Sequence, residues 1–168
     1  IKRAIEVYKA TGKNFSEWEE GIKENTKIIF FETPSNPCLD LIDLEAVCKL
    51  AKSKNVTTII DNIFASPVLQ CPKEFGADII IYSGTKHIDG QGRTMGGAIL
   101  TSKQFKEETL KPFLRHTGPC ISPFNAWVML KSLETIDLRV NKQSENAEDI
   151  AKFLDENKTI EKINYPFL

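Results

Sequence analysis

The chain has 168 residues, and its 22 basic and 23 acidic side chains nearly cancel. This length suits one domain with a substantial core, and the absence of a basic run argues against a nucleic-acid partner. No apolar run approaches the roughly 20 residues of a membrane helix, and the first residues show no signal-peptide pattern. We therefore expect a cytoplasmic protein with neither a nucleic-acid nor a membrane partner.

The four cysteines are widely spaced and form no C-x-x-C pair: Cys38, Cys48, Cys71 and Cys120. The chain has only two histidines, so a zinc site has little support. We expect reduced thiols and no bound metal, because a domain of this size does not require a disulfide framework.

The predicted elements alternate between strands and helices along the chain. The apolar β-rich runs predict strands at 5–9, 27–31, 56–60, 77–84, 96–101 and 160–166. The helical patterns predict helices at 16–25, 43–55, 102–115 and, with a bend, 122–157. Because the strands are continuous apolar runs, this order indicates an α/β fold with a mostly parallel sheet between helices.

Polar side chains follow three successive predicted strands. The first strand ends in Glu32 and the sequence ETPSNP, which contains Asn36; the second ends in Asp61-Asn62; the third ends in the sequence SGTK. Each group alone has an ordinary structural interpretation, such as starting a turn or satisfying a loop. Because open parallel sheets bind ligands beyond the carboxyl ends of their strands, the three groups together predict a ligand site.

The residue types at these strand ends favour one ligand chemistry. A lysine at the wall of a low-dielectric pocket loses its proton readily and condenses with a carbonyl, so Lys86 is a candidate Schiff-base residue. An aspartate such as Asp61 can keep a pyridine nitrogen protonated, and the hydroxyls of Ser83 and Thr85 can hold a phosphate. This combination predicts a site for pyridoxal 5′-phosphate.

The sequences ETPSNP, DNIFASP and SGTK, in this order and spacing, resemble the trans-sulfuration family of pyridoxal-phosphate enzymes, which have fold type I. The segments KHIDGQGRTMGGAIL and GPCISPFNAWVMLKSLETIDLRV are similar to the O-succinylhomoserine sulfhydrylase branch of that family. The resemblance implies that Lys86 is the catalytic residue and carries the cofactor. It also implies that Asp61 contacts the pyridine nitrogen, and that Ser83 and Thr85 contact the phosphate. Asn36 then lies by the substrate carboxylate and the hydroxyl of the cofactor ring, with Glu32 in a supporting role.

The implied reaction is γ-replacement of the succinyl group of O-succinyl-L-homoserine by sulfide, giving homocysteine. A cystathionine synthase or lyase remains the alternative within the family, and a non-catalytic nucleotide-binding module is the alternative from another class. The family's glycine-rich phosphate loop and carboxylate-binding arginine have no counterpart here, so we expect a partial sequence, truncated at both ends. Residues 1–132 would belong to the cofactor domain and 133–168 would begin the smaller carboxyl-terminal domain. The family's shared sites imply a homo-oligomer, a dimer or a dimer of dimers.

Two further patterns near the predicted site have structural interpretations. His87 follows the lysine where the family often has tyrosine, which indicates loop structure rather than acid–base chemistry. A helical stripe predicts core or subunit packing rather than a ligand site; its members are Trp127, Leu130, Leu133 and Ile136.

Overall fold

The computed structural model describes residues 19–166, so the predicted strand 5–9 lies outside the described residues. One sheet contains the strands β1 (Ile28–Glu32), β2 (Thr57–Asp61), β3 (Ile79–Ser83) and β4 (Gly97–Thr101), in this order. β1, β2 and β3 run parallel, and β4 pairs antiparallel with β3. The α/β fold with a mostly parallel sheet is therefore confirmed.

The helices follow the strands in the predicted order. They are α1 (Leu44–Ser53), α2 (Ser66–Leu69), α3 (Lys103–Phe105, Lys106–Leu110 and Lys111–Thr117 in succession), α4 (Pro123–Leu133) and α5 (Ile136–Asp155). Side-chain caps mark three starts, because Asp43, Ser102 and Ser122 each accept a hydrogen bond from the backbone N–H three residues later. None of the helices in residues 19–166 is long and apolar enough to cross a bilayer.

Helix α1 covers one face of the sheet and builds the core with it. Phe31 and Ile60 are register partners on β1 and β2, and both pack against Leu44 and Val47 of α1. Leu50 and Ala51 of the same helix are buried as well. On the other face of β1, Phe30 is 60% exposed, so the described helices leave that end of the sheet uncovered.

The predicted bend in the long helix is a complete break. α4 ends at Leu133 and α5 begins at Ile136, with two turn residues between them. The apolar stripe divides at this break: Ile136 is buried, whereas Trp127 is 56% exposed and Leu130 is 62% exposed. Within the described part of the chain the stripe on α4 does not enter the core.

Two predicted elements differ from the structure. The helix predicted over 16–25 ends at Gly21 where it is described, and its start lies outside the described residues. The strand predicted over 160–166 is wrong, because this segment pairs with none of the four described strands. A strand exists only through hydrogen bonds to a neighbour. Asn164 in this segment instead donates a side-chain hydrogen bond to the carbonyl of Cys38.

Candidate functional site at the carboxyl ends of the strands

The parallel register aligns three of the predicted site residues. Glu32 on β1 is the register partner of Asp61 on β2, and Asp61 is the register partner of Ile81 on β3. Register partners in parallel strands share a face, with the strands about 5 Å apart. Ser83 follows Ile81 by two residues and therefore points to the same face. The structure thus brings Glu32, Asp61 and Ser83 together at one edge of the sheet.

Asp61 is a half-buried carboxylate with one internal partner. Its Oδ1 accepts a hydrogen bond from the backbone N–H of Ile63 at 3.0 Å. Desolvation by burial raises the pKa of Asp61, the Ile63 hydrogen bond opposes this, and the nearby charge of Glu32 raises the pKa further. Asp61 therefore occupies a position where a positively charged partner would favour its ionised form.

Glu32 holds the loop that carries Asn36. Its Oε2 accepts a hydrogen bond from the backbone N–H of Asn36 at 2.9 Å. The loop also closes through Ser35, whose Oγ donates to Asp40 Oδ2 at 3.1 Å. Asn36 is exposed, and these contacts place its backbone over the end of β1.

Lys86 lies in a tight, irregular turn directly after β3. The turn, Gly84–Ile88, is π-helical, and Lys86 departs from helical geometry with φ −90° and ψ −117°. The backbone N–H of Asp89 donates to the carbonyl of Gly84 at 2.8 Å, and that of Gly90 donates to the carbonyl of Lys86 at 2.7 Å. The Lys86 side chain is exposed, rather than lying in the low-dielectric pocket that the sequence predicts. The physical reason is that the described residues form only an open edge around it.

A buried amide that sequence reasoning noted only as part of a polar cluster joins the strand ends. Asn62 is fully buried, and its Nδ2 donates to the carbonyls of Ser66 and Gln70 and to the Tyr82 hydroxyl at 2.9 to 3.0 Å. Its Oδ1 accepts from Gln70 Nε2 at 2.7 Å, and the same Nε2 donates to the carbonyl of Thr33 at 2.8 Å. This network ties the ends of β1, β2 and β3 together, and no sequence pattern singles out Gln70.

The loop after Lys86 is fixed by an ion pair between the buried Asp89 and the partly exposed Arg93, which the sequence analysis missed. Asp89 is 1% exposed, and its carboxylate accepts from the backbone N–H of Arg93 at 2.6 Å and from Arg93 Nε at 3.0 Å. Arg93 Nη2 also donates to Ser132 Oγ on α4 at 2.6 Å. Burial opposes ionisation, but the hydrogen bonds and charge of Arg93 hold the pKa of Asp89 below its ordinary value.

The described residues contain no group of three or more His, Cys, Asp or Glu side chains arranged to hold a metal ion. All four cysteines are free thiols, and only Cys48 is buried. An open concavity of about 720 Å³ lies against β3 and β4, lined by Tyr82, Met95 and Ile121 among others. None of the six predicted site residues lines it, although Ile81 and Gly97, the register partners of Asp61 and Ser83, do.

The fold and this edge define an α/β protein with a ligand site at the carboxyl ends of its parallel strands. The family of Cys/Met metabolism PLP-dependent enzymes matches the chain over residues 1–168, and the chain belongs to this family. Its cofactor is therefore pyridoxal phosphate.

Individual relatives cover nearly the whole chain. An O-succinylhomoserine sulfhydrylase of Mycobacterium tuberculosis H37Rv is 45% identical over 157 residues, which are 94% of this chain and 39% of that protein. A cystathionine γ-synthase of Haemophilus influenzae is 39% identical over 148 residues, 88% of this chain and 40% of that protein. The chain thus spans about two fifths of the length of these curated relatives.

A solved structure supports the same fold and cofactor class. A putative O-acetylhomoserine (thiol)-lyase of Campylobacter jejuni, which carries an N′-pyridoxyl-lysine-5′-monophosphate, matches with a TM-score of 0.84 at 32% identity. The match covers 92% of this chain and 47% of that one.

The side chains at the strand ends fit the cofactor chemically. In the described part of the chain, Ser83, Thr85 and Lys86 make no side-chain hydrogen bond or ion pair, so two hydroxyls and an amine are available to a ligand. Asp61 accepts a single hydrogen bond from the protein, from Ile63. An amine can condense with the aldehyde of pyridoxal phosphate, two hydroxyls can bind its phosphate, and a carboxylate can pair with its ring nitrogen.

Proposed function

We propose that this chain carries the cofactor-binding lysine of an enzyme that exchanges the succinyl group of O-succinyl-L-homoserine for sulfide. The products are homocysteine and succinate, which places the reaction in methionine biosynthesis. The observation that carries the proposal is the 45% identity to an O-succinylhomoserine sulfhydrylase over a stretch that includes the strand-end site. We assign the activity to a longer polypeptide that contains this sequence, because the chain covers only 39% of that relative.

In this proposal the ends of β2 and β3 hold the cofactor. Lys86 Nζ would hold the aldehyde group as an imine, with water as the leaving group, and the hydroxyls of Ser83 and Thr85 would hold the phosphate. The Asp61 carboxylate holds a proton on the pyridine nitrogen, and the charge of that pyridinium offsets the desolvation that raises the pKa of Asp61. When bound, pyridoxal phosphate supplies an electron sink that acidifies the substrate Cα.

The remaining roles concern the substrate. Asn36 donates its side-chain amide to the substrate carboxylate, and Glu32 holds the Asn36 backbone in place through the observed 2.9 Å hydrogen bond. Lys86 Nζ, free while the substrate is held, would take protons from Cα and then Cβ and would return them later as a general acid. Succinate leaves from Cγ with the electron pair of the C–O bond, and sulfide forms the new C–S bond at the same carbon.

We further propose that residues 1–132 belong to the cofactor domain and that 133–168 begin a smaller domain. The break between α4 and α5 supports this boundary, since it follows Leu133. A second copy of the chain completes the open edge around Lys86 in this proposal, which makes the enzyme a homo-oligomer.

The test uses the complete gene product that contains this sequence. Borohydride reduction followed by digestion and mass spectrometry should find a phosphopyridoxyl group on Lys86, and Lys86→Ala should remove both the label and turnover. Lys103→Ala is the matched control, because Lys103 is also exposed and lies at the start of α3. Label on another lysine, or turnover retained in Lys86→Ala, contradicts the assignment.

A cystathionine γ-synthase is the second candidate, favoured by the 39% identical relative of that name. Assays of O-succinyl-L-homoserine with sulfide, with cysteine and with no added nucleophile separate the candidates. Faster homocysteine formation with sulfide supports the sulfhydrylase, whereas faster cystathionine formation with cysteine supports the synthase. Release of a keto acid in the assay without added nucleophile indicates a lyase. If the purified protein has no visible absorbance band from bound pyridoxal phosphate, it is a non-catalytic module.

A further inference from the structure

The turn that carries Lys86 is short and irregular. It is a single π-helical turn, and Lys86 itself departs from helical φ and ψ. Two backbone N–H groups, those of Asp89 and Gly90, close the turn onto the carbonyls of Gly84 and Lys86. The position of the Lys86 backbone therefore depends on contacts from other elements.

Arg139 on α5 supplies such contacts from 52 residues away. Its Nη1 donates to the carbonyl of His87 at 2.9 Å, and its Nη2 lies 3.4 Å from the carbonyl of Ile88. These are the last carbonyls of the turn, where a cation is favoured by the orientation of the peptide dipoles.

The guanidinium of Arg139 also binds two groups at the break between α4 and α5. Arg139 Nε donates to Thr135 Oγ1 at 3.2 Å, and Nη2 donates to the carbonyl of Ser132 at 3.0 Å. The planar guanidinium thus bridges the break between α4 and α5 to the turn after β3, and a planar fork suits this better than a single ammonium group.

Gly90 shows how closely the arginine approaches the loop. Its φ is +76°, and a Cβ at this position would lie 2.1 Å from Arg139 Nη1. Both the left-handed backbone and the lack of a side chain at this position are needed for Arg139 to reach the turn.

We propose that Arg139 is a positioning residue for Lys86. It holds the carbonyl of His87, the residue after the lysine, and so fixes the direction in which the amine of Lys86 leaves the turn. This inference rests on the proposed role of Lys86. Arg139 touches neither substrate nor cofactor in this proposal and acts only through the backbone.

The first test measures hydrogen–deuterium exchange in the cofactor-free complete gene product. Arg139→Gln should speed exchange of the Asp89 and Gly90 amides about 10- to 100-fold, the effect of losing hydrogen bonds to a charged group. Lys142→Gln is the matched control: it removes one positive charge from the same helix, and Lys142 pairs with Glu145 on the surface. Arg139→Lys should lie between the two, because one ammonium cannot span the same carbonyls. Equal exchange in Arg139→Gln and Lys142→Gln would overturn the proposal.

The second test separates positioning from general destabilisation. In the cofactor-loaded enzyme, Arg139→Gln should lower kcat about 10-fold or more while KM changes less than about 2-fold, because a displaced proton carrier slows chemistry rather than binding. A rise in KM with unchanged kcat would overturn the proposal.

Two other results have separate consequences: an Arg139→Gln variant that does not fold, and a wild-type enzyme without label on Lys86. If Arg139→Gln does not fold, Thr135→Val removes the Nε anchor together with the hydrogen bond from Thr135 Oγ1 to the carbonyl of Ser132 at 3.3 Å, and it should speed the same two amides about 3-fold; unchanged exchange would then overturn the proposal. If the wild-type enzyme carries no label on Lys86, the proposed function fails, while the exchange measurement still decides whether Arg139 holds the turn.

Discussion

The buried side-chain amide of Asn62 donates a hydrogen bond to the hydroxyl of Tyr82 at 2.9 Å, which joins the end of β2 to the end of β3. The same amide group contacts the carbonyls of Ser66 and Gln70, so all of its hydrogen-bonding capacity is used inside the protein. Because Asp61 immediately precedes Asn62, this network sets where the Asp61 carboxylate stands relative to the lysine turn.

We predict that Asn62→Ala lowers the free energy of unfolding of the complete gene product by about 2–4 kcal/mol, since it leaves several buried polar groups unpaired. Urea titration followed by far-UV circular dichroism measures the change. Asn141→Ala is the control, because Asn141 is exposed and makes one hydrogen bond to Asp137. Equal losses for the two variants would show that the network does not stabilise the strand ends.

Asp61 should make the cofactor-free protein less stable as the pH rises. Its folded pKa is raised above the ordinary 3.8, so the folded state binds the proton more tightly than the unfolded state does. Stability is therefore lost as pH rises from about 4 through the raised folded pKa. Asp61→Asn should remove this loss and be at least as stable as wild type at pH 7, measured by thermal unfolding across the pH series.

Asp61→Asn should also lower kcat of the proposed reaction at least about 100-fold, because an amide cannot hold a proton on the pyridine nitrogen by charge.

Glu32→Gln is the companion variant for the pH dependence of stability. It removes the nearby charge that raises the pKa of Asp61, so the loss of stability should occur at lower pH. If wild type and Asp61→Asn show parallel pH profiles, the assigned cause is wrong.

Asp89 should have the opposite pH dependence. Its folded pKa is lowered by Arg93 despite burial, so its contribution is complete above its unfolded pKa of about 4 and is lost as pH falls through the lower folded value. Between pH 5 and pH 2 the wild type should therefore lose more stability than Asp89→Asn. Thermal unfolding across this range checks the slope, with the exposed Asp137→Asn as the control.

Gly84 and Met129 form a close contact that excludes a side chain. A Cβ on Gly84 would lie 2.4 Å from Met129 Sδ and 3.1 Å from the backbone of Gly96. We predict that Gly84→Ala costs about 1–3 kcal/mol of unfolding free energy, as overpacking does.

Gly21→Ala is the matched control for this substitution, since no atom of residues 19–166 lies within 4 Å of the position that a Cβ on Gly21 would occupy. Urea titration of both variants should show a loss only for Gly84→Ala. Combining Gly84→Ala with Met129→Ala should recover only part of the loss, because the Gly96 backbone remains in place.

Much of the fold could be predicted because its elements carry local signals. The β-rich apolar runs predicted β1 to β4 to within a few residues, and the helices predicted from 43, 102 and 122 begin there with a capping side chain. The segment 160–166, IEKINYP, was predicted as a strand from its apolar residues but is not one, because pairing depends on a neighbour that composition does not reveal.

The contacts that hold the site could not be predicted in the same way. Gln70 reaches the carbonyl of Thr33 across 37 residues, and Arg139 reaches that of His87 across 52. Such pairs form where packing brings distant segments together, and glutamine or arginine in a helix or turn has many other possible partners. The exposure of Trp127 likewise follows from which helix faces meet the sheet.

The amino-acid order by itself determined which groups stand at the ends of the parallel strands, since hydrophobic runs define the strands and parallel strands share one carboxyl edge. Only the tertiary structure decided the state of each group there: Asp89 buried against Arg93, Asp61 half-buried beside Glu32, and Lys86 exposed. The physical reason is that burial and partner choice depend on the packing of all surrounding segments, whereas strand ends depend on local sequence alone.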